Sequence, residues 1–144
     1  MLALGVLALD QGSKAWAARA LRSGATRWIW RPWLGLGLYW NAGAANDVGA
    51  HHPGIVLAVG LAGTAALAAV LIVQQRASPG VPLMLGGAAG NVLSRLVAGA
   101  VPDFIRVYPG NGLFNLADLS LQVGVIWVAI DLLTARPGRG DTPT

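Results

Sequence analysis

The sequence predicts an all-α membrane protein with four transmembrane helices, and three observations carry that reading. The 144 residues are 55% hydrophobic, with a mean hydropathy of +0.58. Only 11% are charged, against about a quarter in an average soluble domain. Ten Lys and Arg with six acids, every one an Asp, are too few to cover a water-facing surface of this size. Long runs with few charges recur along the chain, and its length allows about four crossings of a ~30 Å hydrocarbon core. The chain has no cysteine, which excludes disulfides, thiolate catalysis and thiolate-held metals. A net charge of +4 suits anionic lipid headgroups. It does not point to nucleic acid, because hydrophobic runs separate the scattered basic residues.

The first span is read over residues 2–21. Leu2 to Leu9 is apolar, Asp10 and Lys14 interrupt, and Ala15 to Leu21 resumes. A secretory leader is the other reading, but no basic stretch follows Met1 and Asp10 breaks the apolar segment. Residues 22–52 form a first loop holding Trp28, Trp30, Trp33, Tyr39 and Trp40, the kind of aromatic belt found at headgroup level. Within it, Trp33 to Trp40 alternates apolar and small residues and predicts an extended piece lying on the membrane. The second span, 54–73, is twenty uncharged residues after Pro53, with Gln74, Gln75 and Arg76 as a polar stop. The third is read over 81–101, and a second loop over 102–112 follows it. The fourth is read over 113–135, with Asn115, Asp118, Gln122 and Asp131 inside it. Four spans put both termini on one side and the two loops on the other. The arginine count, Arg19, Arg22, Arg27 and Arg31 against Arg76, Arg136 and Arg139, slightly favours the loops as cytoplasmic.

Ionisable residues inside a membrane span are expensive and mark functional sites by default. Asp103 and Asp118 lie at the two ends of a short loop, so both sit near one membrane face, with Asp118 expected roughly 7–8 Å inside its span. Two carboxylates at a half-dry site do not both ionise easily, and such a pair can activate a water. The structural alternative is a solvated loop acid beside an acid paired with a neighbouring Arg. Asp10 and Lys14 are spaced to pair along a helix, and Arg95 is a candidate counter-charge for a site aspartate. His51 and His52 lack companion ligands, so no metal site is expected, and nothing calls for a cofactor. Gly86 and Gly90 form a GxxxG spacing that reads as close helix packing.

Four stretches, in register with these spans, resemble a family. Asp10-Gln11-Gly12-Ser13-Lys14 resembles the DQxSK motif of lipoprotein signal peptidases (signal peptidase II), and Asn41-Ala42-Gly43-Ala44-Ala45 resembles their NxGAAF motif. Residues 86–105, GGAAGNVLSRLVAGAVPDFI, resemble GGAxGNxxDRxxxGxVVDFI, and Phe114 to Asp118 matches FNxAD. The resemblance covers nearly the whole chain. It implies an intramembrane aspartic protease of the bacterial cell membrane that cuts diacylated prolipoproteins just before the lipid-modified cysteine. It implies Asp103 and Asp118 as the catalytic pair. Asp10, Lys14, Asn41, Gly43, Asn91, Arg95, Asn115 and Ala117 would then bind substrate or support the site. It further implies four transmembrane helices with a small extracytoplasmic β-sheet or cradle, loops 22–52 and 102–112 outside, and cytoplasmic termini, against the arginine count. The expected partners are prolipoprotein substrates and membrane lipids, with the chain acting as a monomer. Three positions depart from the pattern: Ser94 stands where the family has an Asp before the motif Arg, Asn46 where it has Phe, and Pro102 where it has Val. Ser94 leaves Arg95 without an expected acidic partner. A weakened homologue that binds precursors, and a membrane scaffold whose polar residues only pack helices, are the competing readings.

Overall fold

In the computed structural model, which describes residues 1–44, 48–73, 78–110 and 112–134, the chain forms four helices and one small sheet. Ala45 to Asp47, the stop Gln74–Arg76 with Ala77, and Ala135, Arg136 and Arg139 lie outside the described residues. Helix α1 runs Leu2–Ala20, α2 Pro53–Val73, α3 Gly80–Ala98 and α4 Leu116–Thr134. Strands β1 (Thr26–Trp30), β2 (Leu34–Asn41), β3 (Val101–Val107) and β4 (Leu113–Phe114) pair antiparallel in that order.

Helices α2, α3 and α4 are each long and apolar enough to cross a membrane. α2 has no buried residue, and Ile55, Val59, Ile72 and Val73 stand exposed on it. In water such a surface would be an aggregation site; in a bilayer, lipid covers it. α1 is as long as α3 but less apolar, because Asp10, Lys14 and Arg19 interrupt it. α3 is the hub, and the other three helices pack on it. Its glycines permit this: a Cβ at Gly86 would lie 2.6 Å from the Ala3 carbonyl of α1, and one at Gly87 2.5 Å from the Ala117 carbonyl of α4.

The small sheet that the resemblance implies is present, with four antiparallel strands. Its second strand falls on the alternating segment Trp33 to Trp40. The small residues there have a packing reason: a Cβ at Gly35 would meet the Thr26 and Trp28 side chains of β1. The third strand occupies what reads as the end of a span and a loop. α3 stops at Gly99, which takes a left-handed conformation (φ 72°) and returns its N–H to the Arg95 carbonyl. The chain then turns extended at Val101 and pairs with β2. α4 begins at Leu116, three residues later than the span read from the sequence, because Asn115 caps it.

Candidate active site

The cap at Asn115 builds the centre of the site. Asn115 is the residue before α4, and Asp118 is its third residue. Asn115 Oδ1 accepts the Asp118 N–H at 3.2 Å, and Asp118 Oδ2 accepts the Asn115 N–H at 3.1 Å. This is a reciprocal capping box, satisfying two backbone donors at the helix start. Asp118 therefore sits in the first turn of α4 rather than deep within a span. The free half of the Asn115 amide is aimed elsewhere, and its Nδ2 donates to Asp103 Oδ1 at 2.6 Å. One fully buried side chain thus touches both aspartates.

Asp103 is fixed by strand pairing. Asn41 on β2 lies opposite Val101 on β3, so Asp103 is its diagonal neighbour on the same face of the sheet. Asn41 Nδ2 donates to Asp103 Oδ2 at 3.0 Å. The Asn41 amide is oriented in turn, since its Oδ1 accepts the Gly43 N–H and its Nδ2 also donates to the Ala44 carbonyl. Asp103 is not a solvated loop acid: it is 2% exposed. Burial pushes its carboxyl up to about 6; the bonds from Asn41 and Asn115 oppose the rise, and the charge of Asp118 adds to it.

A second set of contacts ties α1 to the same place. Asp10 Oδ1 accepts the N–H of Ala117 at 2.9 Å, another unpaired donor of the first turn of α4. Asp10 Oδ2 accepts from Lys14 Nζ at 2.7 Å and from Gln11 Nε2 at 3.0 Å. Lys14 also donates to Asn91 Oδ1 at 2.8 Å, and Asn91 Nδ2 donates to Asp118 Oδ1 at 2.9 Å. The local pair expected from sequence is present, but it is one link in a chain running Ala117, Asp10, Lys14, Asn91, Asp118, Asn115, Asp103, Asn41. All ten site residues read from the sequence meet here, Gly43 and Arg95 by way of the loop after β2. Gly90 has more than a packing role: a Cβ there would collide with Asp10 Oδ2, so the glycine makes room for a carboxylate.

Two expectations are corrected. Arg95 is not paired with an aspartate. It donates to the carbonyls of Asn91 and Gly43, holding the loop after β2 against α3, while its buried Nε has no partner among the described residues. Ser94 does not mark a lost partner of Arg95. It faces α1, donating to the Gly90 carbonyl and accepting from Gln11 Nε2 at 3.3 Å. Adjacent helical positions point about 100° apart, so a side chain at 94 looks away from Arg95. Gln11 is the residue that motif reading left without a role; its amide reaches Asp10, Gly90 and Ser94 together.

Asp103 and Asp118 line one cavity of about 610 Å³. Asn41, Asn91, Arg95 and Asn115 line it as well, together with the apolar Val56, Val59, Leu121 and Leu113. Its flanking helices α2 and α4 both lean on α3. The arrangement suits a ligand with an apolar body and a polar group held at two carboxylates.

The family described as signal peptidase (SPase) II matches residues 2–134 of the chain. The chain belongs to the signal peptidase II family. A lipoprotein signal peptidase of Hydrogenovibrio crunogenus is 33% identical, over 94% of this chain and 85% of its own. One of Xanthomonas euvesicatoria is 33% identical over 100% of this chain and 90% of its own. Two solved bacterial membrane enzymes superpose with TM-scores of 0.86 and 0.80, at 26% and 27% identity. They cover 99% and 94% of this chain, and each is itself covered to 92%. Membership makes the chain an aspartic peptidase of a membrane.

Proposed function

We propose that the chain is a lipoprotein signal peptidase that cuts diacylglyceryl-modified prolipoproteins before the lipidated cysteine, with Asp103 and Asp118 as its catalytic pair. The observation that carries this reading is Asn115, whose side-chain amide donates to the Asp103 carboxylate and whose backbone N–H donates to the Asp118 carboxylate, at the wall of one cavity. A water between the two carboxyls attacks the scissile carbonyl carbon. Asp118 takes its proton as base, while Asp103, whose raised carboxyl holds a proton more readily, donates to the carbonyl oxygen. Collapse of the tetrahedral intermediate passes a proton to the leaving nitrogen as the C–N bond breaks. The products are the carboxylate of the signal peptide and the free amine of the cysteine. A scaffold needs no such pair, and both carboxylates keep amide partners with Ser at position 94, so neither the scaffold nor the weakened homologue is favoured.

In this reading residues 1–144 are a single integral domain of the bacterial cell membrane, acting as a monomer among membrane lipids. α1 is the fourth span: Asp10 and Lys14 neutralise each other and are buried, leaving Leu4, Leu9 and Trp16 exposed to lipid. The sheet and both loops lie outside and the termini are cytoplasmic, which brings the pair to the face where a lipidated cysteine enters.

The test is cleavage of a diacylated prolipoprotein by the purified protein in lipid. Wild type cleaves it. Asp118→Asn loses activity by a factor on the order of 100 or more, because an amide neither accepts nor delivers the proton. Asp131→Asn, far along the same helix, retains activity. Cleavage that survives Asp118→Asn rejects the aspartic mechanism.

A further inference from the structure

The mechanism gives no role to Gln122, a polar side chain of the same cavity. Gln122 lies four residues after Asp118 on α4, on the same face and about 6 Å further along the axis. It lines the same cavity and is exposed. Among the described residues its amide has no hydrogen-bond partner. Val56 and Val59 of α2 and the neighbouring Leu121 are apolar residues of the same lining. A primary amide left unpaired against hydrocarbon is unfavourable by itself.

A peptide entering this cavity meets the same difficulty from its own side. An extended segment at membrane depth leaves backbone N–H and C=O groups with no water to bond, so the protein must supply partners. An amide side chain carries both a donor and an acceptor and can answer both. An extended chain advances ~3.3 Å per residue, so 6 Å corresponds to about two residues. The segment deeper in the membrane is the signal peptide, on the N-terminal side of the cut.

We propose that Gln122 is a substrate-positioning residue whose amide pairs with the signal-peptide backbone about two residues before the one that supplies the scissile carbonyl. The proposal rests on the peptidase reading above. It makes Gln122 a reader of backbone rather than of side chain, holding the peptide extended as it reaches the aspartates.

The experiment uses the full chain in lipid with two diacylated prolipoprotein peptides. One is all-amide; in the other an ester oxygen replaces the backbone N–H at that position. Gln122→Met keeps the length of the side chain and removes the amide. We expect it to lower kcat/KM on the all-amide peptide by about 3- to 12-fold, mainly through KM, as for binding shared by ground and transition states. Wild type loses a similar factor on the ester, and the variant loses no further factor there. Losses that multiply in the combination, an ester that wild type cuts as fast as the amide, or a variant equal to wild type each overturn the proposal. The ester on wild type tests the bond without altering the protein. A wild type that cuts neither peptide rejects the peptidase reading itself, a distinct outcome.

Discussion

Changing Asn115 to Asp separates two tasks that one side chain performs. Asp is as good an N-cap as Asn, so Oδ1 of the new carboxylate still receives the Asp118 N–H now accepted at 3.2 Å. The other half of the group is reversed in character. Where Nδ2 donates to Asp103 Oδ1 at 2.6 Å, a carboxylate oxygen meets a carboxylate oxygen. Two unit charges about 4 Å apart repel by about 4 kcal/mol at an effective dielectric of 20, which is about three pK units. The pair avoids that by binding a proton and sharing it, and 2.6 Å is a suitable length for such a bond. The folded variant then holds a proton that the unfolded chain releases near pH 4. A carboxyl raised in the folded state contributes stability that is fully present at low pH and lost as pH rises through the raised value. Asn115→Asp is therefore expected to melt close to wild type at pH 5 and well below it at pH 8. Its cleavage is expected to fall by a factor on the order of 100 or more, because the carboxyl of Asp103 is engaged by residue 115. The assay is thermal melting in lipid or detergent at both pH values, with cleavage of a diacylated peptide in parallel. Asn115→Ala is the reference: it loses the cap, about 1 kcal/mol, and a hydrogen bond to a carboxylate, about 1.5–3 kcal/mol, which lets Asp103 rise further but adds no second carboxylate beside it. A variant Asp that cleaves at the wild-type rate, or melts with the same pH profile as wild type, refutes this account of Asn115.

Other outcomes follow from the same geometry. The rate of wild type is expected to fall above about pH 6 as Asp103 loses its proton, and Asn41→Ala, which removes a bond that favours the charged form of Asp103, moves that fall to higher pH; kcat/KM against pH measures both. Gly90→Ala is expected to destabilise by about 1–3 kcal/mol through overpacking, read as a lower melting temperature, because its methyl enters the space of the Asp10 carboxylate. Lys14→Met strips a buried carboxylate of its cation and is expected to destabilise by about 3–5 kcal/mol. Lys14→Met combined with Asp10→Leu recovers part of that loss in the same melt, since the uncompensated charge goes with it.

Helices α2, α3 and α4 were legible in composition because a span must be apolar over most of its length; α1, interrupted by Asp10, Lys14 and Arg19, was less so. Their ends were less so. The residues from Leu113 to Asn115 are as apolar, on average, as a helix start, and hydropathy does not distinguish them from the turn that follows. The spacing of Asn115 and Asp118 does, since an amide followed three residues later by an acid is the pattern of a capping box. The sheet was half legible. β2 announces itself by alternation, whereas β3, with Pro102 and Asp103 among apolar residues, has no period that separates it from the tail of a span. Its pairing with β2 and β4 makes it a strand, and pairing is a tertiary fact.

The site was legible as a set of residues and illegible as a set of bonds, and the difference has a physical cause. Asp103 and Asp118 are recognisable because ionised groups are rare where water is scarce. Motif register then gathers Asp10, Lys14, Asn41, Asn91 and Asn115 around them. Which atom meets which depends on helix rotation. Ser94 and Arg95 are neighbours in sequence, and treating them as a unit assigns the serine to the arginine. On α3 they face different partners: Ser94 turns to Gln11 on α1, and Arg95 to the Gly43 carbonyl after β2. Position 94 therefore acts on the α1 side of the network, where Gln11 already shares its amide with Asp10. A carboxylate introduced there as Ser94→Asp stands beside Gln11 and the Asp10–Lys14 pair, not beside Arg95. Its effect is expected to disappear when Gln11 is replaced and to persist when Arg95 is replaced. A double-mutant cycle on melting temperature measures this, and coupling to Arg95 rather than to Gln11 would overturn the orientation argued here.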